Sequence, residues 1–393
     1  MGVGAAFLAA AYLLGIVTRF PVPRDFSYFW LAGVMWLEGA NPYVPDLFRA
    51  RANAVAASDA TMAAFGGLHH WLYAPHIWPI ASGLGLLDYA YARAIWGGAC
   101  IAAILGGCWL ALRSVTDPRS PWFGVSYAAL TLAAATTLGT AISVSTGQFG
   151  CFLFLAVAAF CHGLLRDRPA WTGFALLVLM MKPSFGLAFL AAAVVLPRHR
   201  KAAVVAFGVA VIMAAHVFFA SPIPEVVSGY LTGVSNYGSF EANSPAHLTG
   251  LTNLAFHLSG VSVSGIVLAL LAAGLAALVA VEGRRRALPP SLIVTALLAV
   301  ALGVLPLHLY DLTIAVLFLL QARPMWLAAA ALVLNLVLFR VNRLADLVGL
   351  APESAFKGSL LASIAILVFA GAVGVAWAAA YRRSAGQPGA RNT

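Results

Sequence analysis

The chain has 393 residues, of which 62% are hydrophobic and only 9% charged, and its mean hydropathy is +0.92. Soluble domains carry about 25% charged residues, so a water-facing surface cannot be assembled from so few, and soluble enzyme classes are excluded. The net charge of +10, from 23 Lys+Arg against 13 Asp+Glu, would suit nucleic acid in a soluble protein. Here it is explained by the Arg and Lys that bacterial inner-membrane proteins gather in cytoplasmic loops, and no nucleic-acid partner is expected.

Uncharged apolar runs of about 20 residues read as membrane-spanning helices. Residues 1–17 give the first, followed by Arg19-Phe20-Pro21 with no small-residue cleavage site, so a retained helix is expected rather than a removed signal peptide. A polar, aromatic loop follows over about 19–70, and spans are expected at 71–87 and 90–112. Residues 120–165 contain no charge for 46 residues. One helix of that length would measure about 69 Å, twice a bilayer, so the segment must fold back. Its most polar point, Ser145-Thr146-Gly147-Gln148, is the expected turn. Residues 171–181 and 184–196 flank Lys182-Pro183. Proline breaks the ladder there, giving a kinked helix or two half-helices, and broken helices at membrane depth line cavities or pack inside protein. Further spans are expected at 202–220, 261–281, 288–307, 312–322, 324–340 and 359–380, with a second polar loop over 221–260.

Arg198, Arg200, Lys201, Arg284, Arg285, Arg286, Arg323, Arg382 and Arg383 fall at alternate helix ends, which places them inside and both long polar loops outside. Arg113 and Arg119 do not fit this scheme, and Arg166 and Arg168 fit only if the Lys182 region is a hairpin. The expected fold is all-α: one integral-membrane domain over 1–393 with about 12 transmembrane helices and no internal repeat. Cys100, Cys108, Cys151 and Cys161 lie in apolar runs without CxxC spacing and read as small core residues.

Four places could carry chemistry. Asp25 follows the first span among Phe26, Phe29, Trp30 and Trp36, whose spacing suits a short helix in the interface. A carboxylate there could act as general base between a lipid-linked donor and a water-side acceptor, or could be a solvated loop residue. Lys182 is the only Lys or Arg between Pro169 and Pro197. An intramembrane cation marks a function or a buried partner, so it reads as a phosphate site or as a structural lysine. His308 and Asp311, in Leu307-His308-Leu309-Tyr310-Asp311, could share a proton, hold a phosphate oxygen or satisfy one another. Arg340 and Arg343, at the outer end of a span, could add phosphate contacts or anchor the interface. Asn236, Glu241, Asn243, Ser244 and His247 make the second loop polar enough to touch a sugar. His69, His70 and His76 lack acidic partners at metal-ligand spacing. No GxxxxGK[ST], HExxH or GxSxG occurs, so ATPase, zincin and hydrolase readings have no support.

Taken together, Asp25-Phe-Ser-Tyr-Phe-Trp with Glu38-Gly-Ala-Asn-Pro-Tyr43, Tyr73-Ala-Pro75, Gly147-Gln148, Met181-Lys182-Pro183 and His308-Leu-Tyr-Asp311 resemble the family-87 glycosyltransferases. These are polyprenyl-phosphate-mannose-dependent α-1,2-mannosyltransferases of bacterial membranes, within the C-type superfamily. The resemblance implies a C-type many-helix fold with its site on outer loops, facing the periplasm or cell exterior. It also implies an inverting transfer of a hexose, mannose by family, from a polyprenyl-phosphate donor to a glycan or glycolipid acceptor. Asp25 matches the family's base, and Lys182 and His308 match positions suited to the donor phosphate. Arg340 is added to them from its own position. Asn41, Tyr43, Gln148, Tyr310 and Asp311, within the matched motifs, are expected to contact substrate. The scheme needs no nucleotide, cofactor or metal. The competing readings are a transporter or flippase for a lipid-linked or anionic substrate, and a non-enzymatic assembly protein.

Overall fold

The computed structural model describes residues 2–69, 71–237, 243–349 and 358–385; His70 and Glu241 lie outside them. The fold is all-helical. Helix α1 (Gly2–Arg19) leads into a group of short elements made of α2 (Arg24–Leu37), α3 (Pro45–Ser58), a 3-10 segment (Ala60–Gly67) and the short α4 (Trp78–Gly85). The long α5 (Tyr89–Val115) follows, then α6 (Phe123–Thr136), α7 (Leu138–Thr146) and α8 (Gly150–Leu165). Next come α9 (Pro169–Leu179), α10 (Pro183–Val195), α11 (Pro197–Ala220), α12 (Ile223–Tyr237) and α13 (Leu251–Ser259). Helices α14 (Gly265–Arg285) and α15 (Pro290–Val304), the 3-10 segment Leu309–Leu317, α16 (Phe318–Gln321), α17 (Met325–Phe339), α18 (Val341–Leu347) and α19 (Ser359–Ala385) complete the chain.

The charge-free stretch 120–165 folds back where expected. Helix α7 ends at Thr146, Gly147 caps it in the left-handed region at φ +74°, and α8 starts at Gly150. An unforeseen bend of 60° at Thr137 separates α6 from α7, stapled by the Thr137 hydroxyl, which takes the Thr140 backbone N–H at 3.1 Å.

Lys182 stands at the tip of a hairpin. Pro183 opens α10, and the two arms return to a common end. There Thr172 of α9 and His199 of α11 hydrogen bond at 2.9 Å, and Arg198 pairs with Asp167. Arg166 and Arg168 thereby join Arg198, Arg200 and Lys201. Arg113, which does not fit the alternation of cations in the sequence, joins them too, because Arg166 donates to its carbonyl at 2.8 Å. Val195, Val281, Arg284 and Arg285 line one cavity, and the Arg286 guanidinium lies 4.1 Å over the Tyr381 ring. The ends of α5, α8, α10, α14 and α19 therefore form a single cation-rich pole.

Four short helices run between that pole and the opposite region: α9 (11 residues), α10 (13), α15 (15) and α8 (16). At 1.5 Å per residue they are about 16–24 Å long, less than a hydrocarbon core of about 30 Å. The chain segments at their far ends, around Lys182, His308 and Gly150, therefore meet part-way through the bundle.

The expected span count needs revision. Among the described residues five helices are long and apolar enough to cross a membrane, or seven if the two pairs bent by 60° and 79° each count once; further apolar helices have only 10–17 residues. Residues 71–87 do not form a span. They give a three-residue 3-10 turn and the eight-residue α4, about 12 Å long. Prolines 75 and 79 withhold backbone donors, and glycines let α4 press onto α2: a Cβ on Gly33 would lie 1.8 Å from the Ala81 carbonyl oxygen. Residues 312–322, also expected as a span, instead form a buried 3-10 segment and the four-residue α16.

Candidate active site

Asp25 lies in the first turn of α2, whose φ-restricted neighbour Pro23 occupies the N-cap position. The aromatics expected to lie in the interface pack into protein instead. Phe26 and Phe29 are fully buried, Phe29 lying 4.2 Å from the Tyr73 ring and 5.0 Å from the Trp96 ring. That packing half-buries Asp25. Burial pushes its carboxyl up from 3.8 to about 6, against hydrogen bonds from Gln148 and Thr146 and the nearby Arg24 guanidinium, which favour the ionised form. Gln148 is held by the turn it sits in: its N–H donates to the Ser143 carbonyl at 2.8 Å, and its Oε1 accepts the Tyr73 hydroxyl at 3.4 Å.

Lys182 forms a second centre. Its Nζ donates to Asp311 Oδ2 at 2.5 Å, with the lysine side chain 25% exposed and the aspartate side chain fully buried. The same oxygen accepts the His308 backbone N–H at 3.0 Å. Asp311 therefore ties the hairpin tip to the turn after α15, and its carboxylate faces these partners rather than solvent. The Tyr310 ring stacks on His308 at 4.8 Å and lies 5.5 Å from Lys182 Nζ. Burial, with the Lys182 charge beside it, holds the His308 imidazole down at about 4. It is neutral near pH 7.

The two centres are joined through α7. Ser143 Oγ donates to the Tyr310 carbonyl at 3.4 Å, while Thr146 and Gln148, at the end of the same helix, hold Asp25. His247 also reaches the Lys182 side. Thr249 pairs with Leu307, its N–H donating at 2.7 Å, Ser359 Oγ donates to the His247 carbonyl at 2.9 Å, and His247 lies near His308. From the sequence His247 is only one of several polar loop residues, because nothing there links positions 249 and 307.

The remaining candidates are more distant. Asn41 and Tyr43 are buried; Asn41 Oδ1 accepts the Tyr43 N–H at 3.0 Å, and the Tyr43 hydroxyl donates to the Tyr73 carbonyl at 2.6 Å. They support the aromatic wall behind Asp25, and α12 covers them, with Tyr230 6.0 Å from the Tyr43 ring. Arg340 is exposed and lies 4.7 Å over the Phe339 ring. No ion pair or hydrogen bond joins it to Lys182 among the described residues. Asn243 and Ser244 precede His247 at the start of the described part of the second loop, and Ser244 Oγ lies 3.4 Å from His247 Nδ1. Among the described residues no three His, Cys, Asp or Glu side chains gather as a metal site would require.

A family model, Glycosyltransferase family 87, matches residues 71–307. The match takes in Gln148 and Lys182, ends one residue before His308 and does not reach Asp25. No curated protein and no solved structure matches the chain.

Proposed function

Because the chain belongs to glycosyltransferase family 87, we propose that it transfers a hexose, mannose by family resemblance, from a polyprenyl phosphate to an acceptor hydroxyl with inversion. Asp25 is the base in this reading and the Lys182 centre receives the donor phosphate. The acceptor is a glycan or glycolipid, and the site faces outward from a bacterial inner membrane.

The observation that carries the reading is the linked pair of centres: a half-buried carboxylate and a lysine-bearing turn, held at the two sides of one helix end. A base works best when its pKa lies near the operating pH, and Asp25 at about 6 is mostly ionised at pH 7 while remaining basic enough to take a proton. The acceptor hydroxyl gives its proton to Asp25, and its oxygen bonds to the anomeric carbon. The bond from that carbon to the phosphate oxygen breaks, and the electron pair leaves on the lipid phosphate. Lys182 stabilises the charge that grows there, more in the transition state than in the ground state. Neutral His308 offers a hydrogen bond rather than a charge.

Purified protein in detergent, where no compartments exist, should transfer sugar from a synthetic polyprenyl-phosphate donor. Asp25→Asn should lose transfer by at least about a hundredfold while still binding the donor. A variant that transfers at the wild-type rate removes Asp25 from the chemistry. Absence of any transfer by folded wild-type protein across candidate acceptors would favour the transporter reading.

A further inference from the structure

We propose that the turn over residues 147–150 is the spacer that fixes the separation between the base and the donor-phosphate centre, with Gly150 as its positioning residue. The proposal rests on the roles of Asp25 and Lys182 given above.

Each end of the turn is fastened to one centre. At its start Gly147 must be glycine twice over: its φ is +74°, and a Cβ there would stand 2.5 Å from Phe26 Cβ, the residue beside Asp25. The Trp96 indole N–H holds the Gly147 carbonyl at 3.1 Å. Gln148 then reaches Asp25 with one side-chain end and Tyr73 with the other. At its finish Gly150 leaves no room for a side chain. A Cβ would lie 2.2 Å from Ser143 Oγ and 2.8 Å from the Tyr310 carbonyl oxygen. Tyr310 is the ring that stacks on His308 and underlies Lys182.

Gln148 and Phe149 alone thus separate a glycine packed on the neighbour of the base from a glycine packed on the phosphate centre, and a side chain at either glycine would collide with what it packs on. Group transfer depends on that separation: a misplacement of about 1 Å can cost about a hundredfold in rate. The spacer predicts that its two ends fail differently. Gly150→Ala pushes the Tyr310 turn away and should raise the KM for a synthetic polyprenyl-phosphate sugar about tenfold or more, with the acid limb of the pH profile left near pH 6. Gln148→Leu removes a hydrogen bond that favours ionised Asp25 while Arg24 and Tyr28 remain beside it. That limb should then move upward, with donor KM within about twofold of wild type.

Ser143→Ala, which keeps the backbone and deletes the hydroxyl contact to Tyr310, should give a smaller rise in donor KM of about threefold and decides the matter if Gly150→Ala does not fold. Wild-type donor KM in both Gly150→Ala and Ser143→Ala overturns the spacer. So does a shifted acid limb in Gly150→Ala with donor KM unchanged. Full activity of Asp25→Asn, measured in parallel, instead overturns the assignment of the base, so the two failures are distinguishable.

Discussion

Asp25 and Lys182 show how one environment sets two charges differently. Around Asp25 the aromatic wall removes water and raises the carboxyl, while Gln148, Thr146 and Arg24 restrain the rise, leaving it at about 6. Under the proposed mechanism the ionised form is the base, so kcat/KM should fall as pH drops through about 6. A profile flat down to pH 4.5 would exclude this group as the titrating base. Lys182 meets its burial differently, by pairing with Asp311. Removing Lys182 leaves a fully buried carboxylate without its cation, so Lys182→Met should destabilise the protein by about 2 kcal/mol, read as earlier thermal unfolding in detergent. The double variant Lys182→Met/Asp311→Asn should recover most of that loss and none of the transfer activity. If Lys182→Met unfolds no earlier than wild type, the pair contributes nothing to the fold. Lys182 was legible in the sequence as a solitary cation at a proline break. Its partner was not, because the two lie 129 residues apart and no local pattern encodes that pairing. Local spacing pairs Asp311 with its near neighbour His308, whose backbone N–H it accepts at 3.0 Å.

At the scale of the elements, the breaks are the informative features, and the sequence announces most of them. Pro183 and Gly147 mark the hairpin tip and the fold-back because each residue has a backbone property that a continuing helix cannot absorb. Helix length was less legible. Hydropathy treats 71–87 as a span, since an apolar run buried against α2 and one facing lipid have the same composition. The distinction lies in Gly33 and Gly85, where a Cβ on Gly85 would lie 2.5 Å from the Gly33 carbonyl carbon, a tertiary contact that composition does not report. The bend at Thr137 carries no local signal for a related reason: threonine hydroxyls can cap a break without proline or glycine. Gly147→Ala tests the fold-back. It combines a disfavoured φ with the Phe26 collision and should lower stability by about 2–4 kcal/mol, seen as reduced thermal stability. A variant as stable as wild type would show that the turn relaxes freely, and the rigid spacing built on it would fail.

For the whole molecule, the arrangement of charge gives the short helices their meaning. Arg113, Arg166, Arg198, Arg286 and Arg382 come from distant parts of the chain, yet they gather at or beside one pole, while α2, α3, α4 and α12 occupy the other region. A membrane protein with this asymmetry inserts with the cationic pole inside. In the proposed orientation the helices of 11–16 residues that rise from the pole would end before the outer surface, and the Lys182 and Gly150 segments would lie below it. The proposed donor's lipid phosphate would sit at that level, near the boundary between acyl chains and headgroups, and the proposed acceptor would come from water above. Under the same proposal Asp25 would be on the side from which that acceptor approaches. Single cysteines test the orientation cleanly, because the four native cysteines are all buried. Arg49 is exposed on α3 and the Arg285 side chain is 72% exposed at the pole. In sealed vesicles of one orientation, an impermeant thiol reagent should label Arg49→Cys and Arg285→Cys from opposite sides, with Arg49→Cys on the extracytoplasmic side. Labelling of both from the same side would place the base and the cationic pole in one compartment, and an outward-facing site fed by a lipid donor would no longer be tenable.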